Sequence, residues 1–289
     1  MLTMVLASAL SCRPATQPEA PPTASAARIP FTELPRTTLT RRAPSTGSQE
    51  VPTAPPGVEV IHYTSGEHEL LAWLVLPKTE TDTPTPGLVY FHGAFALKPG
   101  DVENVRPAVE AGFAVLLPSL RGENGNPGHA ELLAGELDDA VAAIDFLAAQ
   151  PSVDPDALFT LGHSVGGALS ALVSLRPDAH VRLTAGVGGI YVPETFRRWT
   201  TMKANRALIR FDASNPLEGR LRTLSGNVDD MVRPHHAYIG RQDSWFLDNS
   251  ATIEGPQFFV HEVAGDHMTS VEPGLAEFVE LALADLAAD

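Results

Sequence analysis

The chain has 289 residues, enough for one large α/β domain with additions, and its hydrophobic content of 44% is too low for a multispan membrane protein. Its formal net charge of −15 offers no long basic face for phosphates, which excludes a nucleic-acid partner. A single cysteine, Cys12, rules out an intrachain disulfide, so the fold does not depend on an oxidising compartment.

Residues 2–10 are short and apolar and are followed by Ser11 and Cys12. The stretch is too short for a stable bilayer-spanning helix. It resembles the end of a bacterial lipoprotein signal peptide, with Ala9-Leu10-Ser11-Cys12 in the position of the lipobox. That resemblance implies cleavage, a lipid on Cys12, a membrane tether and a location on the cell envelope. A cytoplasmic protein with an apolar tip is the alternative. Residues 13–57 are rich in Pro, Thr, Ala and Ser, with scattered large apolar residues such as Ile29, Phe31 and Leu34. Such a segment is expected to be a disordered, semi-extended tether. Residues 1–57 carry +2, so the body from 58 to 289 carries −17.

The body alternates strand and helix patterns. Residues 58–63 and 70–76 read as an opening antiparallel pair, and 87–91 as the next strand. A helix is expected over 102–111, a strand over 113–117 and a long amphipathic helix over 131–150, ended by Pro151. A buried strand over 157–161 then meets a helix over 165–175. Strands over 184–190, 236–239 and 257–263 and a helix over 271–288 complete the series. This order predicts an α/β fold with a mostly parallel sheet covered on both faces, and ligands at the carboxyl ends of the strands.

The junction at Gly162-His163-Ser164-Val165-Gly166 is the most informative stretch. Strand, Gly-x-Ser-x-Gly and helix, in that order, form a nucleophile elbow that lifts one hydroxyl above the sheet. A serine hydroxyl needs a base, and the base needs an orienting carboxylate. His267 follows the last strand and precedes the last helix, where it can serve as base. His163, His235, His236 and His261 fit less well, and His163 is expected to point away from the nucleophile. Asp243 follows a buried strand by a short turn and is the expected acid. Asp248 is its rival, and Asp266 is expected to cap its own loop. An oxyanion needs two aligned donors. The N–H of Val165 is one candidate and that of Ala94, after His92-Gly93, is the other, with Phe95 as fallback.

The body resembles the α/β-hydrolase superfamily. More narrowly it is similar to the branch of dienelactone hydrolases, acetyl-xylan-type esterases and prolyl-oligopeptidase-like catalytic domains. The matching pieces are Tyr90-Phe91-His92-Gly93, Pro118-Ser119-Leu120-Arg121-Gly122, Val153-Asp154-Pro155, the Ser164 elbow, Gly240-Arg241-Gln242-Asp243 and Gly265-Asp266-His267. The resemblance implies roles of nucleophile, acid and base for Ser164, Asp243 and His267, and neither metal nor organic cofactor. It also implies that residues 191–235 form a lid-like insertion in a catalytic domain of residues 58–289. Residues 191–222 hold seven basic and three acidic residues, interleaved with apolar ones. An amphipathic, packed segment is expected there rather than an anion trap. The expected function is a serine esterase acting on a small or medium ester. A prolyl-oligopeptidase-like peptidase acting on short peptides, and a non-catalytic binding lipoprotein, are the alternatives. The body leaves no room for the gating propeller of true prolyl oligopeptidases.

Overall fold

The computed structural model describes residues 28–35, 50–78, 83–94, 96–202, 212 and 215–288. The body opens with β1 (Glu59–Ser65) and β2 (His68–Val75), a hairpin turned at Gly66 with φ 57°. Next come β3 (Thr85–Phe91), α1 (Pro99–Asn104), α2 (Arg106–Glu110) and β4 (Ala114–Pro118). They are followed by α3 (Glu136–Ala148), β5 (Val153–His163), α4 (Val165–Val173) and β6 (Leu183–Val187). After α5 (Pro193–Thr201) and α6 (Pro216–Arg222) the chain completes β7 (His235–Gly240), α7 (Ser244–Ser250), β8 (Phe258–Val263) and α8 (Val271–Leu286).

Among the described residues the strands form one eight-stranded sheet in the order β1-β2-β4-β3-β5-β6-β7-β8. β2 pairs antiparallel with β1 and β4, and every other pairing is parallel. Parallel strands need crossover helices, so both sheet faces are covered and the central strands are apolar throughout. Alternation along β3 shows the two faces. Val89 and Phe91 pack with the residues of α3 and α4, while Leu88 and Tyr90 pack with Val105, Ala108 and α8. On the second face Phe159 meets Phe113 and Phe278 edge to face, at 5.9 and 6.3 Å between ring centres. All nine residues of α4 are buried, so the helix behind the elbow is sealed from water on every side.

Three elements differ from expectation. The helix expected over 102–111 is two short helices that meet at Val105, because Pro107 cannot donate a backbone bond to the preceding turn. The helix expected from 131 starts at Glu136, because Leu132 and Leu133 take positive φ values of 55° and 74°. Within the expected tether, residues 28–35 lie docked on the body. Phe31 and Leu34 are buried, and the Arg28 guanidinium grips Asp230 at 2.7 and 2.8 Å. No helix among the described residues is long and apolar enough to cross a membrane.

Candidate active site

β5 ends at His163 and α4 begins at Val165, so Ser164 alone makes the turn. Its backbone sits at φ 55° and ψ −110°, a strained conformation for a residue with a side chain. Local sterics explain the flanking glycines. A Cβ on Gly162 would collide with the Gly166 carbonyl, and one on Gly166 with the Phe91 carbonyl. The Ser164 N–H donates to the Val187 carbonyl at 2.9 Å, which ties the turn to β6.

Two loops at the same sheet edge meet the serine. His267, between β8 and α8, places Nε2 3.1 Å from Ser164 Oγ. Its Nδ1 donates to Asp243 Oδ2 at 2.8 Å. That carboxylate fixes the tautomer, leaving Nε2 as the acceptor that faces the hydroxyl. Asp243 precedes α7, and Asp248 lies within that helix. Asp266 accepts the N–H groups of Met268 and Thr269 at 3.0 and 2.9 Å, as a cap of its own loop. The imidazole of His267 is seated between Phe246, 4.4 Å away by ring centre, and the Cα of Gly188. A Cβ on Gly188 would stand 2.8 Å from Nδ1. The structure therefore brings together Ser164, His267 and Asp243 across three separate loops.

Val165 opens α4, and Ala94 sits in the turn after β3 with φ 58°. Gly166 lies against the carbonyls of Phe91 and His92, so the end of β3 packs on the first turn of α4. Cys12 and Phe95 lie outside the described residues, as do Lys203, Arg206 and Arg210 of the basic insertion.

His163 does not simply point away. It is buried, its Nε2–H donates to the His267 carbonyl at 2.8 Å, and its ring fills the space beside Gly93. Burial holds its pKa down at about 4, so it is a neutral brace between the base loop and the turn carrying Ala94. Sequence position gave no sign of this, because the partner carbonyl is 104 residues away. Two buried ion pairs were equally invisible. Arg121 forks onto Asp139 at 2.7 and 2.9 Å, and His92 faces Glu123 at 3.1 Å.

The basic residues of the insertion that lie in the described region are partnered. Arg197 pairs with Glu194 at 3.1 Å, and the Arg198 guanidinium lies 4.3 Å over the Trp245 ring of α7. Arg220 binds the Ile29 carbonyl at 2.8 Å, and the buried Arg222 meets Glu218 at 2.5 Å. Among the described residues no cluster of histidine, cysteine and carboxylate side chains could hold a metal ion.

Comparison with known proteins bears on this arrangement. The model of the X-Pro dipeptidyl-peptidase (S15) family matches residues 65–195. No curated protein matches in sequence. Among solved structures, an acylaminoacyl peptidase from Pyrococcus horikoshii is 14% identical with a TM-score of 0.60. That match covers 80% of this chain but only 40% of the peptidase, so the chain spans less than half of that relative. An S-formylglutathione hydrolase from Staphylococcus aureus is 17% identical, with a TM-score of 0.60 and coverage of 78% and 98%. Est1E from Butyrivibrio proteoclasticus is 18% identical, with a TM-score of 0.56 and coverage of 78% and 99%. At these identities the likeness shows the fold. The mostly parallel sheet, its helices on both faces and these neighbours show the α/β-hydrolase fold.

Proposed function

We propose that the chain is a serine hydrolase that cleaves a small or medium carboxylic ester through an acyl-enzyme. The observation that carries the reading is the continuous hydrogen-bonded line from Ser164 Oγ through His267 to Asp243, at 3.1 and 2.8 Å, on a strained elbow. Ser164 Oγ attacks the acyl carbon while its proton passes to His267 Nε2. Asp243 stabilises the imidazolium that forms. The N–H groups of Ala94 and Val165 receive the oxyanion. Collapse breaks the bond to the leaving group, which departs with the proton from Nε2. Water, deprotonated by His267, then releases the acid and restores the serine.

An acyl substrate with a good leaving group is supported by a neighbour matched over nearly its whole length, an S-formylglutathione hydrolase, whose named substrate is a thioester. The match to the S15 family favours a second reading, cleavage of short peptides by the same three residues. Labelling with a fluorophosphonate probe tests the shared chemistry. Wild type is expected to react, and Ser164→Ala and His267→Ala are not. Hydrolysis of p-nitrophenyl acetate beside a panel of dipeptide amides then separates the two readings. Folded wild type that stays unlabelled would turn the reading toward a binding protein with a hydrolase fold.

A further inference from the structure

The turn between His92 and Leu97 is held at both ends by two adjacent residues of another loop. At its start, both ring nitrogens of His92 face acceptors. Nδ1 is 3.2 Å from the Gly93 carbonyl and Nε2 is 3.1 Å from Glu123 Oε2. Nε2 is buried without a well-directed hydrogen bond, so Glu123 acts on the ring as a carboxylate at ion-pair distance. Both side chains of the pair are buried, at 3% and 5% exposure, and a lone charge there would be costly.

At the other end of the turn, Asn124 binds Leu97 twice. Its Oδ1 accepts the Leu97 N–H at 2.9 Å, and its Nδ2 donates to the Leu97 carbonyl at 3.2 Å. Ser119 Oγ donates to the same Oδ1 at 2.7 Å, which fixes the amide from behind. The Leu120 N–H faces Glu123 Oε2 at 3.3 Å. Between the two anchors Ala94 holds a left-handed φ of 58°, which an alanine does not keep unaided.

We propose that Glu123 and Asn124 are positioning residues for the oxyanion turn, Glu123 through the His92 imidazolium and Asn124 through Leu97. The proposal rests on the hydrolase reading for its catalytic meaning. Neither residue touches substrate; each sets where the Ala94 N–H stands when the oxyanion forms. Two carboxyl groups act on His92. Glu123 comes from the loop after β4, Asp101 from α1, and Lys98 lies beside Asp101. Burial opposes the charge, but Glu123 above all, with Asp101, raises His92 from 6.5 to about 9. The imidazolium is therefore complete below pH 6.5 and is lost as pH rises through about 9.

Two variants test this. Glu123→Gln keeps the shape and removes the charge. Asn124→Gly removes the amide while tolerating the φ of 50° at that position. On p-nitrophenyl acetate each is expected to lower kcat about tenfold or more with KM little changed, since a lost oxyanion donor costs about 100- to 1,000-fold. The alkaline limb of kcat, near pH 9 in wild type, is expected to move toward neutrality in Glu123→Gln. Amide hydrogen exchange is expected to quicken across residues 92–97 in both variants while the core strands stay protected. Unchanged kcat, an alkaline limb that stays in place, or slow exchange in the turn would each overturn the proposal. Inert wild type would overturn the hydrolase reading instead, and the exchange of residues 92–97 would still decide whether Glu123 and Asn124 hold the turn.

Discussion

Ser164 is the point at which the proposed chemistry and stability conflict. Its φ of 55° with ψ −110° suits glycine, yet the hydroxyl requires a side chain. Backbone strain of this kind costs on the order of 1–3 kcal/mol, partly offset by the entropy that glycine would lose on folding. Ser164→Gly is therefore expected to be more stable than Ser164→Ala by about 1 kcal/mol in urea denaturation. Equal stability of the two would mean that the elbow is not strained. The glycines beside it follow from the same local sterics, and so they were readable from sequence: each has backbone where a Cβ would go. Asp243 and His267 were readable because each follows a strand at the sheet's carboxyl edge. Glu123, Asn124 and His163 were not, because their roles depend on which loops meet in space.

Among the elements, the docked segment at residues 28–35 departs furthest from its composition. Pro- and Thr-rich sequence around it argues for a free chain, yet two buried side chains, an ion pair and hydrogen bonds to Arg220 and Gly226 hold it down. Its partners lie about 200 positions away, so no local pattern announces them. Asp230 is the hub: it takes the Arg28 guanidinium twice and the Phe31 N–H at 3.0 Å. Asp230→Ala is expected to release the segment without unfolding the sheet. Thermolysin should then cut within residues 28–35 several-fold faster, while the thermal midpoint of the body moves little. A cleavage rate equal to wild type would show that Phe31 and Leu34, with the hydrogen bonds of Arg220 to Ile29 and of Arg28 to Gly226, suffice without Asp230. The long helix starting at Glu136 carries a similar lesson. Its apolar spacing extends back to Leu133, but the left-handed backbone at Leu132 and Leu133 ends it.

Across the whole molecule, stability depends on pH through buried groups of opposite sign. Burial lowers His163 and His236 to about 4 and His235 to about 3, so these are neutral when folded but protonate in the unfolded chain below about 6.5. Their contribution is complete above pH 6.5 and falls as pH drops toward those lower values. Burial raises Glu136 from 4.5 to about 8, and His92 stands at about 9. Both bind a proton more tightly when folded, so their contributions fall as pH rises through those values. Between pH 4.5 and 6.5 three histidines outweigh one glutamate, between pH 6.5 and 9 Glu136 and His92 act the other way, and the buried tyrosines Tyr63, Tyr90 and Tyr191, raised above 10, add to the decline at still higher pH. The unfolding free energy is therefore expected to peak near pH 6.5 and decline on both sides, as urea titrations across pH would show. A peak displaced to pH 9 would mean that Glu136 and His92 do not hold their protons as described.

The separation of Ser164 from His267 along the chain also has a temporal side. The hydroxyl and its imidazole are 103 residues apart, and β7, β8 and the loop beyond must exist before they meet. At a synthesis rate of about 5–20 residues per second, a growing chain carries the serine for about 5–20 s before the histidine is even polymerised. A ribosome-bound nascent chain therefore presents an elbow serine without its partner. The hydrogen-bonded line from Ser164 to Asp243 closes late, after the loop beyond the last strand has been made.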